Sequence, residues 1–237
     1  MSNDEQVRKL EATVAALEQR LGMVEDVNAV RSLQYKYGYY IDKCLYDEAV
    51  ELFSDKARIR FLNGIYIGRA GARRLYCDWF REHFTKGHNG PGYGFLLDHL
   101  MSQDIIDVAP DRQSAKGRFR VLMQGGYHES RAPIPNFPSA NWEGGIYENT
   151  YVKEDGVWKI GDFNYNMLWQ ADYHKGWDKD TAHLVPLEKT YPEDPNGPDE
   201  LTDVPPPVWP HTRVVPFHYP HPVTGKMWDG EAVGVKA

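Results

Sequence analysis

The chain has 237 residues and a formal net charge of −7, with 41% hydrophobic, 26% charged and 13% aromatic residues. That is too apolar for a disordered chain, and too acidic, with no Lys/Arg cluster, to grip nucleic-acid phosphates. No stretch reaches the roughly 18 apolar residues of a membrane span, and the start at Met1 lacks the basic and apolar regions of a signal peptide, so the expected address is the cytoplasm.

Val7, Leu10, Val14, Leu17, Leu21 and Val24 step by three and four, a seam of apolar positions on a first helix assigned to residues 1–25. Two readings stand: a short coiled coil between subunits, or a helix lying along its own domain. Gly22 interrupts the pattern, and a second helix is expected over 26–53, carrying Tyr37, Tyr39 and Asp42. Alternating Ala57, Ile59 and Phe61 then run into Asn63-Gly64, a two-residue hairpin signal. A third amphipathic helix follows, from Ala72 to Phe84, with His83 on its apolar stripe as a core residue. The glycine-rich stretch 87–94 opens no helix and so lacks the anion site of a phosphate loop; it reads as a rim loop.

From there the period changes to two. Strands are expected over 95–108, 114–125, 142–154 and 157–169, with Asp155-Gly156 as another tight turn. Helices followed by strands predict an α+β layer fold, with the helices packed on one face of a curved, mixed or mainly antiparallel sheet. The connection 125–141 is long for a hairpin and is either a lid or an ordered loop. Eleven of the 16 prolines fall between Pro186 and Pro222, which excludes a second domain. The aromatics among them predict an extension, 171–237, folded along the body or a neighbouring subunit.

Cys44 and Cys77, the only cysteines, form no CxxC pair and read as two buried thiols. The closest histidine pairs, His83 with His88 and His218 with His221, lack a carboxylate or thiolate at ligand spacing, so no metal is expected. In the first of the four strands, His99 shares parity with Leu97 and Met101, which sets an imidazole on an apolar face. Asp42 ends the apolar stripe of the helix that enters the sheet, and a carboxylate there needs a partner. Pairing the two makes a general acid/base dyad, whereas a satisfied core histidine is the plainer alternative. No Ser or Cys nucleophile motif accompanies it, so proton transfer and elimination are the expected chemistry. Tyr147 and the Arg118/Arg120 pair suggest a pocket for a phenolic ligand, unless the arginines lie on a solvated sheet face with Phe119 and Val121 inward.

The series Tyr37-x4-Asp42, Leu52-Phe53, Ala57-x-Ile59, Gly64-x-Tyr66-x-Gly68, His99 and Gly156-x-Trp158-Lys159-Ile160 resembles the SnoaL-like branch of the NTF2-like superfamily, over residues 28–170. That resemblance implies a cone-shaped domain over 26–170 and places Asp42 and His99 on the family's Asp–His dyad. It also puts Tyr37 where bile-acid dehydratase has a catalytic tyrosine. Scytalone dehydratase has a histidine where Gln124 aligns and an asparagine where Tyr147 aligns, departures that set its particular dehydration apart from this chain; Tyr147, Arg118, Arg120, Gln124 and Tyr39 are the expected substrate-binding residues. The long extension and first helix are also similar to the diarylpropane lyases of lignin-derived dimers. The implied function is a cofactor-free lyase on a hydroxylated aromatic compound, acting as a homo-oligomer, dimer or trimer. An isomerase or cyclase on a polycyclic ketone, and a non-catalytic binding module, are the alternatives.

Overall fold

A computed structural model describes residues 2–182, 185–203, 207–230 and 234 of the chain. Its first element, α1 (Asn3–Asp42), starts with a capping box in which Ser2 and Glu5 satisfy each other's backbone N–H groups. The two helices expected before residue 53 are therefore one as far as Asp42, and Gly22 does not break it. A glycine inside a helix costs only about 1 kcal/mol, and here its missing side chain makes room for Arg112, whose guanidinium would lie 1.9 Å from a Cβ at position 22. The chain turns at Cys44, at φ +54°, gives a short α2 (Tyr46–Val50), and by Phe53 is already in β1 (Phe53–Phe61).

β1 pairs antiparallel with β2 (Gly64–Ile67), Phe61 opposite Gly64, so the turn is Leu62-Asn63, one residue earlier than expected. The third helical stretch runs unbroken through α3 (Gly68–Arg73), a π-helical segment (Arg74–Phe80) and α4 (Arg81–Thr85). His83 is half-buried there, stacked on Trp79 at 5.0 Å, and burial lowers its pKa.

Four long strands follow: β3 (Phe95–Val108), β4 (Ser114–Tyr127), β5 (Ala140–Glu154) and β6 (Val157–Asp172). With β1, β2 and the two-residue β7 (Glu200–Leu201) they form one seven-stranded sheet, ordered β3-β4-β5-β6-β1-β2-β7, in which β1 and β6 pair in parallel. Alternation decides its faces. Phe119, Val121, Met123, Tyr147 and Tyr151 are buried beneath α1, whereas Leu96, Leu100 and Leu122 are exposed on the other side. α1 is keyed to the inner face by Gln34, fully buried, whose carbonyl accepts from Tyr151 (2.7 Å) and Asn149 (3.0 Å).

The connection 128–139 is packed down: Phe137 lies 5.3 Å from Phe84 and Ile134 is buried. Beyond β6 the extension keeps contact with the body. Leu187 N–H donates to Asn63, Asp199 accepts from Ile67 N–H, Glu200 pairs with Arg58, and Trp209 N–H donates to the Leu168 carbonyl. Cys44 and Cys77 are both free and buried. Among the described residues no helix is long and apolar enough to cross a membrane.

Candidate active site

An edge strand leaves every second backbone N–H without a partner in the sheet. On β3, the free edge, the N–H of His99 donates to both oxygens of Asp42, at 3.1 and 3.2 Å. The same carboxylate takes the ring, Nδ1 lying 2.6 Å from Oδ1. Asp42 is the last residue of α1, so the helix end and the strand edge are joined through one side chain. Both side chains are about nine-tenths buried. With Nδ1–H directed at the carboxylate, Nε2 keeps its lone pair, and it has no hydrogen-bond partner among the described residues. The pair is thus arranged to accept a proton at Nε2 and to return it.

Across the same face stands a carboxyl that the sequence reading passed over. Register runs His99, Met123, Glu143 and Gln170 across β3 to β6. Glu143 is 5% exposed, and it accepts from the Tyr165 hydroxyl (2.7 Å) and the Gln170 amide (3.0 Å). Burial pushes its pKa up, while Tyr165, the nearby His99 and Gln170 pull the other way. Its parity with Tyr147 was the available signal. Tyr165 can cross the face here because Gly145 has no Cβ to meet its hydroxyl, 2.6 Å away, and Gly144 likewise admits Trp169 on the opposite side.

A cavity of about 720 Å³ adjoins the dyad, with Asp42, His99, Tyr35, Tyr39, Arg120 and Trp169 in its wall. A second, of about 380 Å³, lies between the 128–139 connection and the segment after β6, with Asn141 and Gln170 in its wall.

The expected site residues divide accordingly. Asp42 and His99 meet, and Tyr39 lines the cavity beside them; Arg120 lines it from the outer face of the sheet, the side opposite His99. Tyr37 does not: it is buried in an aromatic cluster with Phe163 and Tyr147, its hydroxyl 3.0 Å from that of Tyr76. Tyr147 is likewise sealed beneath the face at 2% exposure. Burial raises the pKa of both phenols, which stay protonated. Arg118 is corrected as a substrate residue. It lies on the outer face, bound to Glu148 at 2.6 Å and to the carbonyls of Val215 and Pro216, under the extension. Gln124 is also on that outer face, opposite Asp98 and Trp142, because Met123 is the residue turned inward.

The model of the SnoaL-like domain family matches residues 22–164. Among solved structures, a protein of Novosphingobium aromaticivorans provisionally described as a scytalone dehydratase is 22% identical, with a TM-score of 0.51 over 73% of this chain and 99% of that one. A type 2 hexachlorocyclohexane dehydrochlorinase (LinA) is 19% identical, with a TM-score of 0.52 over 70% of this chain and 97% of that one. The type 3 enzyme of Novosphingobium barchaimii has the same identity and TM-score over 71% and 99%. These likenesses show the fold. No curated protein matches the chain.

Proposed function

We propose that this chain, which belongs to the SnoaL-like domain family, is a cofactor-free lyase in which His99, oriented by Asp42, moves protons on a hydroxylated aromatic substrate. One observation carries the reading: a 2.6 Å Nδ1–carboxylate bond that leaves Nε2 open, set in the wall of a cavity of about 720 Å³. That volume is in the range of small-molecule sites and holds a two-ring compound. Dehydratase and dehydrochlorinase, the names of the structural neighbours, both denote removal of a small molecule across two adjacent carbons.

The sharpest form of the reading is a 1,2-diarylpropane-1,3-diol with a para-phenol on the first ring. Protonated His99 donates to the benzylic hydroxyl, which leaves as water while the phenolate pushes its electrons into a quinone methide. His99 then takes the proton of the primary alcohol, the carbon–carbon bond to that carbon breaks, and formaldehyde departs. The bonding pair becomes the stilbene double bond as the ring regains its aromaticity. The substrate is its own electron sink, so no cofactor is needed. Removal of a proton from the neighbouring carbon instead gives simple dehydration.

Incubation with a panel of phenolic dimers, followed by stilbene absorbance and formaldehyde trapping, tests the proposal. Stilbene with an equivalent of formaldehyde supports the lyase, and stilbene-type absorbance without formaldehyde supports dehydration. His99→Ala lowers turnover by about 10² to 10⁴ with ligand binding retained. Undiminished turnover in that variant refutes the assignment.

A further inference from the structure

The first half of α1 stands clear of its own body. Residues 2–21 are all exposed, and the helix meets the body from Gln19 onward, where its amide donates to the Pro110 carbonyl and Arg112 reaches Asp26. Val7, Leu10, Val14, Leu17, Leu21 and Val24 are 51–64% exposed on it. Helices in proteins draw most of their stability from packing an apolar face, and within this chain the seam packs against nothing described.

The direction of that face decides between the two uses of the seam. At 100° per residue, the six residues point about 170° away from the face that carries Asp26, Val30, Leu33, Tyr37 and Ile41 into the sheet. The helix cannot lay the seam on its own domain without turning the buried face out. Its partner comes from the far side.

The seam's composition selects the partner. Positions 7, 14 and 21 are a and positions 10, 17 and 24 are d, so β-branched valine fills two of three a positions and leucine two of three d positions, the pattern of parallel two-stranded coils. Glu11, Glu18 and Glu25 are the e residues; Gln6, Thr13 and Arg20 are the g residues. In a parallel pair Arg20 of one chain faces Glu25 of the other, and no two acids meet. An antiparallel pair sets three e glutamates against three. In the parallel pair each body also lies on the outer side of its own helix, clear of the other.

We infer that residues 6–25 form a parallel, two-stranded coiled coil with a second copy of this chain. The test is a Val14→Cys variant of the full chain. A parallel register stacks the two position-14 side chains in one layer, within disulfide reach, while the native thiols are buried. Mild oxidation then yields a covalent dimer, and adding Leu10→Glu and Leu17→Glu abolishes it. Sedimentation equilibrium shows the triple variant losing association, and near-UV circular dichroism, unchanged, shows the body still folded. Three results overturn the inference. One is a cross-link that forms only between Val14→Cys and Leu17→Cys chains, which signals an antiparallel pair. Another is a seam-dependent assembly of three chains. The last is no cross-link at all, with a mass indifferent to the glutamates.

Discussion

Glu143 holds its proton more tightly in the folded chain than in the unfolded one, chiefly because burial penalises its charge. The folded state is therefore favoured while Glu143 is protonated, and this contribution is lost as pH rises from the ordinary value of 4.5 through the raised one. Glu143→Gln removes the titration and keeps an acceptor for Tyr165, so it should be the more stable protein at neutral pH and lack the decline. Glu143→Ala leaves the Tyr165 hydroxyl and the Gln170 amide unpartnered, a loss of about 2 kcal/mol. Urea unfolding of the three proteins from pH 4 to 8 checks both, and a wild-type profile parallel to that of E143Q would count against the buried charge. Parity made this residue readable beside Tyr147 on the same strand. It also bounded the arginines, because Phe119 and Val121 are the inward pair and leave Arg118 and Arg120 outward. Which outward residue still reaches a cavity depends on the extension covering Arg118, and no local pattern carries that.

The strands were the most readable elements, since a sheet with one face under a helix imposes an alternation that survives in sequence. β3 spans the expected residues, and β4, β5 and β6 differ only by two or three residues at one end. The helices were less so. α1 persists past Gly22 because of tertiary contacts around Asp26, next in line. Burial alone would raise the pKa of Asp26, but hydrogen bonds from Arg112, Lys153 and Trp158, at 2.5, 2.7 and 2.8 Å, outweigh it and bring the carboxyl down to about 2. The resulting stability is present above the unfolded value of 3.8 and disappears as pH falls toward about 2. Asp26→Asn is expected to lose about 2 kcal/mol at pH 7 and to converge with wild type in acid. Thermal melts at pH 7, 4 and 2.5 measure the convergence, and a constant difference would show that shape rather than charge anchors the helix.

At the scale of the molecule, the proline-rich extension works as a strap across the outer face of the sheet. Composition showed that it could not be helix or central strand, and its aromatics argued for packing. Its course required partners distant in sequence: Arg118 bonded to Val215 and Pro216 and lying 4.4 Å over the Phe217 ring, His218 against Glu148, and Arg213 on Asn166. Arg118 is only 8% exposed, and a cation this covered is tolerated because those acceptors surround it. Ending the chain at residue 203 removes all of them and returns Arg118 and Glu148 to water as a surface pair of little worth. Several hydrogen bonds of about 1 kcal/mol each are lost, which predicts a midpoint lower by roughly 10 °C in a protein of this size. Asp42 and His99 bond to none of the removed residues. Well below the new midpoint the shortened chain should therefore turn over substrate at the full-length rate. Calorimetry with an assay at low temperature separates the outcomes. An unchanged midpoint means that the strap contributes nothing to stability, and lost turnover with a normal melt means that it shapes the cavity beside the dyad.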